Sequence, residues 1–201
     1  MFTGIVEATG LVLQIIREDD SMRIEIENPF PGIELGDSIA IDGVCLTVIE
    51  RTVESLWFDV SSETLDKTYF KSLLVQQKVN LEQAARSDTR MGGHYVTGHI
   101  DTTAMISCFE QIDNYVKLRV SGFTNEHKPF LIPKGSITLN GVSLTINAVV
   151  DEMIELMLIP HTLKHTTLQN LKIGQLLNVE FDYMARMIAH QVAYYLQHVT
   201  P

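Results

Sequence analysis

The sequence predicts an all-β protein made of two small tandem barrels followed by one helix. The first observation is an internal repeat, because Asp42–Val48 returns 98 residues later as Asn140–Ile146 with four of seven positions identical. The second is a series of short alternating runs in each copy, separated by turn signals. The third is a narrow apolar stripe that follows the second copy alone.

The repeat extends beyond this heptapeptide. The same offset relates Thr64-Leu65 to Thr162-Leu163, and Asn80 and Glu82 to Asn178 and Glu180. Thr3–Glu7 matches Thr97–Asp101 at an offset of 94, so the second copy contains a lengthened loop. A duplicated domain implies two similar sites. The differences between the copies are then the informative positions, above all Cys45 against Ser143 and Ile5 against His99.

The predicted strands are short, and Asp42-Gly43 and Asn140-Gly141 are dipeptides typical of tight hairpins. In the first half they are Thr3–Glu7, Leu11–Ile16, Met22–Ile26, Ser38–Asp42, Leu46–Glu50, Trp57–Val60 and Val79–Gln83. In the second half they are Tyr95–Ile100, Ala104–Phe109, Tyr115–Val120, Ser136–Leu139, Leu144–Val149, Glu155–Ile159 and Leu177–Phe181. Helical turns are predicted at Glu63–Phe70, Thr124–Phe130 and His161–Asn170. So many short strands per half favour a closed barrel, which leaves no exposed edge.

We predict domains at residues 1–88 and 89–183, with the boundary in the polar stretch Ala85–Gly93, and a helix at 184–201. The helix carries an apolar stripe at spacings of three and four residues, formed by Ala185, Ile188, Val192, Tyr195 and Val199. Such a stripe can lie on its own barrel or pack against copies of itself. Its narrowness favours the second arrangement, and hence an oligomer.

Composition excludes several classes of function. The net charge of −10 without a Lys/Arg run speaks against a nucleic-acid partner. No apolar stretch is long enough to span a membrane, and no signal peptide is visible. Two cysteines are too few for a disulfide framework, so a cytoplasmic location is expected. The spaced pairs His94/His99 and His161/His165 lack an acidic partner at a familiar spacing, and we expect no metal site.

The repeated pattern Gly-Val-[Cys/Ser]-Leu-Thr is the strongest chemical signal. It places a small polar side chain and a threonine two residues apart, on one face of a strand that follows a tight turn. Such groups suit recognition of a flat heteroaromatic ring with alternating donors and acceptors. A threonine-rich surface strand is the alternative, which the repetition disfavours. Cys45 as a nucleophile would need His99 or another base beside it.

Several motifs together resemble the riboflavin synthase family of the two-barrel alpha-chain type. They are Met1–Val6, the repeated Asn/Asp-Gly-Val-Cys/Ser-Leu-Thr, Gly92-Gly93-His94 leading to Thr97–Ile100, Ile159–Leu163 and Thr166-Thr167-Leu168. The resemblance covers essentially the whole chain. It implies two six-stranded antiparallel Greek-key barrels, a homotrimer held by the C-terminal helices, and no metal or redox cofactor. The implied reaction transfers a four-carbon unit between two molecules of 6,7-dimethyl-8-ribityllumazine, giving riboflavin and 5-amino-6-(D-ribitylamino)uracil.

The resemblance also implies where the two lumazines bind, at a site where the N-terminal barrel of one subunit meets the C-terminal barrel of its neighbour. The N-barrel group is Gly4, Ile5, Val6, Cys45, Leu46, Thr47, Asp59, Val60, Ser61, Ser62, Glu63 and Thr64. The C-barrel group is Gly98, His99, Ile100, Lys134, Ser143, Leu144, Thr145, Ile159, Pro160, His161 and Thr162.

For the chemistry, we expect catalytic groups at both rings. Ser143, Thr145 and His99 are assigned to the C-barrel lumazine, and Cys45, Ser38 and Phe2 to the N-barrel lumazine. One lumazine must lose a proton from its C7 methyl group, and the other must accept a nucleophile at C7. Many relatives carry Asp at the position of Asn140, whereas this chain has its Asp in the first copy, at Asp42.

Two other interpretations share the double barrel. Lumazine and flavin antenna proteins of luminous bacteria bind ligand without converting it, but they tend to have lost residues at the catalytic positions. A flavin-binding reductase barrel would need a partner nucleotide domain that this chain lacks. Lumazine synthase, which makes the substrate, is a candidate partner.

Overall fold

The computed structural model describes residues 1–198 and contains two closed six-stranded antiparallel barrels and a C-terminal helix. The predicted fold class is therefore confirmed. The first barrel consists of β1 (Ala8–Arg17), β2 (Met22–Glu27), β3 (Ser38–Ile41), β4 (Val44–Arg51), β5 (Ser55–Val60) and β6 (Lys78–Gln83). The second consists of β7 (Thr102–Ile112), β8 (Tyr115–Ser121), β9 (Ser136–Leu139), β10 (Val142–Val150), β11 (Met153–Leu158) and β12 (Leu176–Phe181). The predicted domain limits at 88/89 and 183/184 stay a prediction.

Both barrels have the same strand order. Neighbours run β1-β2-β5-β4-β3-β6 in the first and β7-β8-β11-β10-β9-β12 in the second, and each ring closes. The hairpin-connected strands β3, β4 and β5 lie between β2 and β6, which is a Greek-key arrangement. Closure pairs both edges of every strand, so neither sheet offers an open edge for aggregation.

The repeat is visible in the irregularities of the sheets as well. Pairing registers shift between Val12 and Gln14 on β1, and between Ile106 and Cys108 at the equivalent place on β7. The equivalent strands β4 and β10 carry a second matching pair of shifts. Bulges bend a strand and increase its twist, which helps a sheet of only six strands to close. Each barrel then surrounds its own apolar core.

Two predicted strands are absent. Thr3–Glu7 and Tyr95–Ile100 are not strands of either barrel, although Phe2 and Val96 form one isolated antiparallel bridge. Each segment contains a glycine with positive φ, +74° at Gly4 and +81° at Gly98, which interrupts extended pairing. The remaining predicted strands are found, Ser136–Leu139 with the predicted ends and the others with ends shifted by up to three residues.

The predicted helical turns are present, two of them at equivalent places in the two copies. The helix α1 (Ser62–Lys67) and a 3-10 turn at Tyr69–Ser72 follow β5. The helix α2 (Pro160–His165) and a 3-10 turn at Thr167–Asn170 follow β11, and a third 3-10 turn covers Lys128–Phe130. Ser61 caps α1 by accepting a hydrogen bond from the Thr64 amide at 3.3 Å, whereas α2 begins with Pro160 at its first position.

The barrels are joined by two buried asparagines. Asn80 on β6 and Asn178 on β12 each bind the backbone of the opposite barrel with both ends of the side-chain amide. The partners of Asn80 are the Asn140 carbonyl and the Thr167 amide, both at 2.8 Å, and those of Asn178 are the Asp42 carbonyl and the Tyr69 amide, both at 3.0 Å. This pairing explains why both asparagines recur in the repeat.

The seam between the barrels is not symmetric. Asp42 is buried, and its carboxylate accepts hydrogen bonds from the Tyr69 hydroxyl and, at 2.7 Å, from the backbone amide of Asn80. Burial raises the pKa of Asp42 to about 7, against the lowering effect of these two hydrogen bonds. In the second copy the side-chain oxygen of Asn140 accepts a hydrogen bond from the backbone amide of Asn178 at 2.8 Å. The Asp of the first copy thus serves the barrel junction and is paired with a tyrosine found only there.

The C-terminal helix α3 (Tyr183–His198) begins directly after the second barrel. Arg186 in its first turns forms an ion pair with Asp101 at 3.2 Å, and α3 packs near the 3-10 turn at Lys128–Phe130. No residue of the helix is buried. Val199, the last member of the predicted stripe, lies outside the described residues.

Candidate active site

The first half-site, here called the Cys45 half-site, surrounds the start of β4. The Cys45 amide donates to the Gly98 carbonyl at 2.9 Å, which brings Gly98, His99 and Ile100 beside β4. A cavity of about 370 Å³ lies here, within the usual range for small-molecule sites of roughly 300–1,000 Å³. It is lined by Val44, Cys45, Glu63, Thr64, Lys67, Thr68, Gly98, His99 and Ile100.

The second half-site, here called the Ser143 half-site, surrounds the start of β10. The Ser143 amide donates to the Gly4 carbonyl at 2.7 Å, so Gly4 and its neighbours Ile5 and Val6 lie beside β10. Val6 packs against the core of the second barrel. Correspondingly, Ile100 packs against the core of the first barrel. The two half-sites are therefore built on the same plan.

This plan corrects the grouping that the sequence predicted. Gly4, Ile5 and Val6 were expected with Cys45, and Gly98, His99 and Ile100 with Ser143. The structure exchanges them, because the segment that precedes each barrel crosses to the motif strand of the other barrel. The expected pairing assumed that neighbours along the chain remain neighbours in the site.

Two buried glutamates fix the crossing segments. Glu82 accepts hydrogen bonds from the Thr3 amide (2.6 Å), the Thr3 hydroxyl (2.8 Å) and the Gly4 amide (3.0 Å). Glu180 accepts the same three bonds from Thr97 and Gly98, at 2.7, 2.6 and 2.9 Å. Burial raises the pKa of both carboxyl groups, and the hydrogen bonds they accept lower it. Sequence reasoning missed this role, although the recurrence of both glutamates was a usable signal.

The crossing segments approach the motif strands closely. A Cβ placed on Gly98 would lie 2.5 Å from the Cβ of Cys45, and one on Gly4 would lie 2.6 Å from the Cβ of Ser143. Any larger residue would therefore displace the segment from the strand. This explains why both copies require glycine at this position.

The motif strands present alternate residues to the half-sites. Cys45 and Ser143 are half-buried, and Thr47 and Thr145 on the same strand face are exposed. Ser38 is half-buried and lies opposite Thr47 on β3. The side chains of Leu46 and Leu144 belong to the barrel cores, so only their backbone groups face the half-sites.

The remaining predicted residues lie at or just after the ends of β5 and β11, apart from Lys134. Asp59 is exposed at the end of β5, 3.6 Å from Arg23 across an ion pair, and Val60 is buried in the core. Ser61, Ser62, Glu63 and Thr64 form the start of α1, and Ile159, Pro160, His161 and Thr162 form the start of α2. Lys134 is exposed in the turn before β9.

Phe2 lies beneath the Cys45 half-site and does not face it. Its side chain is fully buried in a small cluster with Ala40 and Val96, against which Cys45 packs. The Cys45 side chain thus packs against apolar residues. Ser143 has a polar neighbour instead, because His94 Nδ1 is 2.8 Å from its hydroxyl oxygen. Sequence reasoning treated His94 as a rejected metal ligand and as part of the Gly92-Gly93-His94 family motif, and it missed this contact.

Residues 1–198 contain no candidate metal site, no membrane-spanning helix and no disulfide bond. Within that range, no cluster of three or more His, Cys, Asp or Glu side chains is arranged to hold a metal ion. None of its helices is long and apolar enough to cross a membrane. Cys45 and Cys108 are both free thiols.

Comparisons with known proteins define the class. The lumazine binding domain matches the chain twice, at residues 3–84 and 97–182. Solved structures of LumP bound to 6,7-dimethyl-8-(1'-D-ribityl) lumazine and to riboflavin superpose with TM-scores of 0.81 and 0.84, at 28% and 27% identity. Each covers 90% of this chain, and 98% and 99% of the respective LumP chain. The fold and the two half-sites therefore define a double-barrel protein of the lumazine-binding class.

Curated relatives narrow this class. The riboflavin synthases of Photobacterium leiognathi and Bacillus subtilis are 40% and 38% identical to the chain, over 94% and 92% of its length and 87% of theirs. That of Brucella abortus is 37% identical over 96% of this chain and 99% of its own. The chain belongs to the riboflavin synthase family.

Proposed function

We propose that the chain catalyses the riboflavin synthase reaction, the last step of riboflavin biosynthesis. One molecule of 6,7-dimethyl-8-ribityllumazine transfers a four-carbon unit to a second, which gives 5-amino-6-(D-ribitylamino)uracil from the donor and riboflavin from the acceptor. One observation carries this proposal: two half-sites share one backbone frame but differ in chemistry, at Cys45 against Ser143. A shared frame suits two copies of the same substrate, and the difference suits their two roles.

Substrate recognition follows from the backbone arrangement that the two half-sites share. Each half-site combines a crossing segment, the start of a motif strand and the start of a short helix. The exposed hydroxyls of Thr47 and Thr145 are available to the donors and acceptors of a pterin-like ring. Holding two such rings in reactive geometry supplies ~7–11 kcal/mol toward the barrier through proximity.

The catalytic assignment is revised by the exchange of segments. His99 joins Cys45 at one lumazine, in the cavity that both residues line. Ser38 lies on the neighbouring strand and lines a separate cavity. Ser143 and Thr145 act at the other lumazine, with Ile5 in the place of the histidine. Phe2 supports Cys45 from below. A cysteine beside a histidine suits the addition of a nucleophile or a proton transfer at C7.

A direct assay tests the function. The purified protein is mixed with 6,7-dimethyl-8-ribityllumazine, and riboflavin formation is followed by absorbance. Because LumP is a close structural neighbour whose known complexes hold the lumazine and flavins, the second candidate is a non-catalytic lumazine-binding protein. Tight binding without riboflavin formation would establish that candidate.

Replacing Ser143 by Ala or His99 by Gln is expected to lower kcat by about 10²-fold, while the affinity for lumazine changes little, because both act on protons in the transition state. Steady-state kinetics and fluorescence titration measure the two quantities. Ser107→Ala, an exposed position of β7, is the matched control and should leave both unchanged. An unchanged kcat in both variants would disprove the assignment.

We further propose a homotrimer assembled through α3, with each active site completed by the Cys45 half-site of one subunit and the Ser143 half-site of its neighbour. The stripe residues Ile188, Val192 and Tyr195 are 60%, 53% and 57% exposed on the single chain. An apolar stripe at these spacings is a typical helix-association surface. A cytoplasmic location and an association with lumazine synthase stay predictions of the sequence.

Ile188→Asp is expected to convert trimers to monomers and to abolish riboflavin formation, because a carboxylate would enter the apolar seam. Sedimentation velocity and the riboflavin assay give the two results. His190→Asp introduces the same group on the opposite face of α3 and should preserve both properties. A trimeric Ile188→Asp variant would contradict assembly through this stripe.

A further inference from the structure

The crossing segment that carries His99 is held at both ends. At its start, the Glu180 carboxylate binds the backbone of the segment. At its end, the Asp101 amide donates to the Val179 carbonyl at 2.9 Å. The Asp101 carboxylate also accepts a hydrogen bond from the Phe181 amide at 2.8 Å. His99 lies two residues before this second anchor, so the position of Asp101 constrains where the imidazole lies.

The first copy completes the equivalent anchor within its own barrel. Glu7, the counterpart of Asp101, accepts hydrogen bonds from the Gln83 backbone amide at 2.8 Å and from the Gln83 side-chain amide at 2.9 Å. In the second copy the counterpart of Gln83 is Phe181, whose side chain has no hydrogen-bond donor. The Arg186 guanidinium on α3 supplies the missing donor, with Nη1 at 3.2 Å from one oxygen of Asp101 and 3.4 Å from the other. The C-terminal helix thus completes an anchor that the first barrel completes by itself.

The ion pair between Asp101 and Arg186 is partly shielded from water. The two side chains are 20% and 35% exposed, so salt screens their attraction less than it would on an open surface. Burial raises the pKa of Asp101, whereas the hydrogen bond from the Phe181 amide and nearby positive charges lower it. These charges belong to Arg186, His127 and Lys67. Because Lys67 lines the cavity that contains His99, the carboxylate is close both to α3 and to that cavity.

We propose that Arg186 is a positioning residue for His99: through Asp101 it holds the end of the crossing segment and makes the Cys45 half-site depend on the C-terminal helix of the same chain. The inference rests on the proposed function and deepens it, because it names a residue outside both half-sites that sets the geometry of one of them. The other half-site has no such dependence, since its crossing segment is anchored within the first barrel. The helix therefore has two roles, association through its apolar stripe and fixation of the second crossing segment.

Arg186 is not a member of the apolar stripe, so a substitution there separates positioning from assembly. Arg186→Gln should lower kcat for riboflavin formation about 10-fold with a smaller change in KM, because a misplaced His99 costs rate in the transition state. Arg186→Lys keeps a charged donor on α3 and should lose less. Asp101→Asn should match Arg186→Gln. The double variant should lose no more than either single variant, because both changes break the same contact.

Arg119→Gln is the matched control, since it also removes an arginine from an ion pair of the second barrel, and it should leave kcat and KM unchanged. Proton NMR of the His99 ring gives a local measurement that a general loss of stability would not move. The His99 signal should shift in Arg186→Gln and Asp101→Asn, whereas the signal of His161, in α2, should stay in place. Sedimentation velocity should show the wild-type assembly for every variant.

A folded Arg186→Gln protein with the wild-type kcat and an unshifted His99 signal would overturn the proposal. Losses in kcat that multiply in the double variant would overturn it as well, since the two side chains would then act independently. The same holds for an Arg186→Gln protein that no longer assembles, because its loss of activity would come from assembly. If the wild-type protein forms no riboflavin, the proposed function fails, while the His99 signal and the titration of bound lumazine still decide the role of Arg186.

Discussion

Gly98→Ala should lower the free energy of unfolding by roughly 2–4 kcal/mol and riboflavin formation by about 10²-fold. The φ of +81° is strained for alanine, and the new Cβ would lie 2.5 Å from the Cβ of Cys45 and 2.9 Å from its backbone nitrogen. The crossing segment must then move away from β4 and carry His99 with it. A displacement of about 1 Å is enough for such a loss of rate. Urea denaturation and the riboflavin assay measure the two effects.

Gly36→Ala separates backbone strain from the steric clash. Gly36 has a φ of +90°, but nothing lies within 4 Å of a Cβ at that position. This control should lose only about 1–2 kcal/mol of stability and keep its activity. If both variants lost activity equally, the close contact between Gly98 and Cys45 would not be what shapes the half-site.

Asn178→Ala is expected to lower the free energy of unfolding by roughly 3–5 kcal/mol. The change leaves the Tyr69 amide and the Asp42 carbonyl without their partners at a buried seam, and each unpaired group costs roughly 1–3 kcal/mol. The loss should also loosen one barrel from the other, since both bonds of Asn178 cross between them. Urea denaturation followed by tryptophan fluorescence, which reports Trp57 in the first barrel, and by circular dichroism detects both effects.

Asn125→Ala is the matched control, because Asn125 is exposed. A surface change of this kind should stay within about 0.5 kcal/mol of the wild type. Equal stabilities of the two variants would show that the asparagine bridge contributes nothing to the junction of the barrels.

Much of the fold could be read from local patterns. Strands with an apolar face and turn dipeptides were located to within a few residues, because alternation and turn chemistry depend on neighbours along the chain. The errors at Thr3–Glu7 and Tyr95–Ile100 have the opposite cause. These segments also alternate, but their hydrogen-bonding partners are the distant side chains of Glu82 and Glu180.

The candidate site, likewise, could be predicted from the sequence only in part. The Cys45 and Ser143 motifs were recognisable because their recurrence is a property of the sequence. The partners of each motif were not, since Gly98 and Gly4 reach them only through the crossing of segments between barrels. His94 shows the same limit, because its closeness to Ser143 depends on how the linker folds over the second barrel.

The sequence by itself determined that the protein consists of two similar barrels with two similar motifs, because repetition and periodicity are local properties of the chain. The tertiary structure alone decided which residues meet in each half-site. Buried carboxylates attract the free amides of the segment before each barrel, and the absence of a Cβ at Gly4 and Gly98 lets that segment lie against the opposite strand. Contacts of this kind join residues that are far apart in the chain, so no local pattern records them.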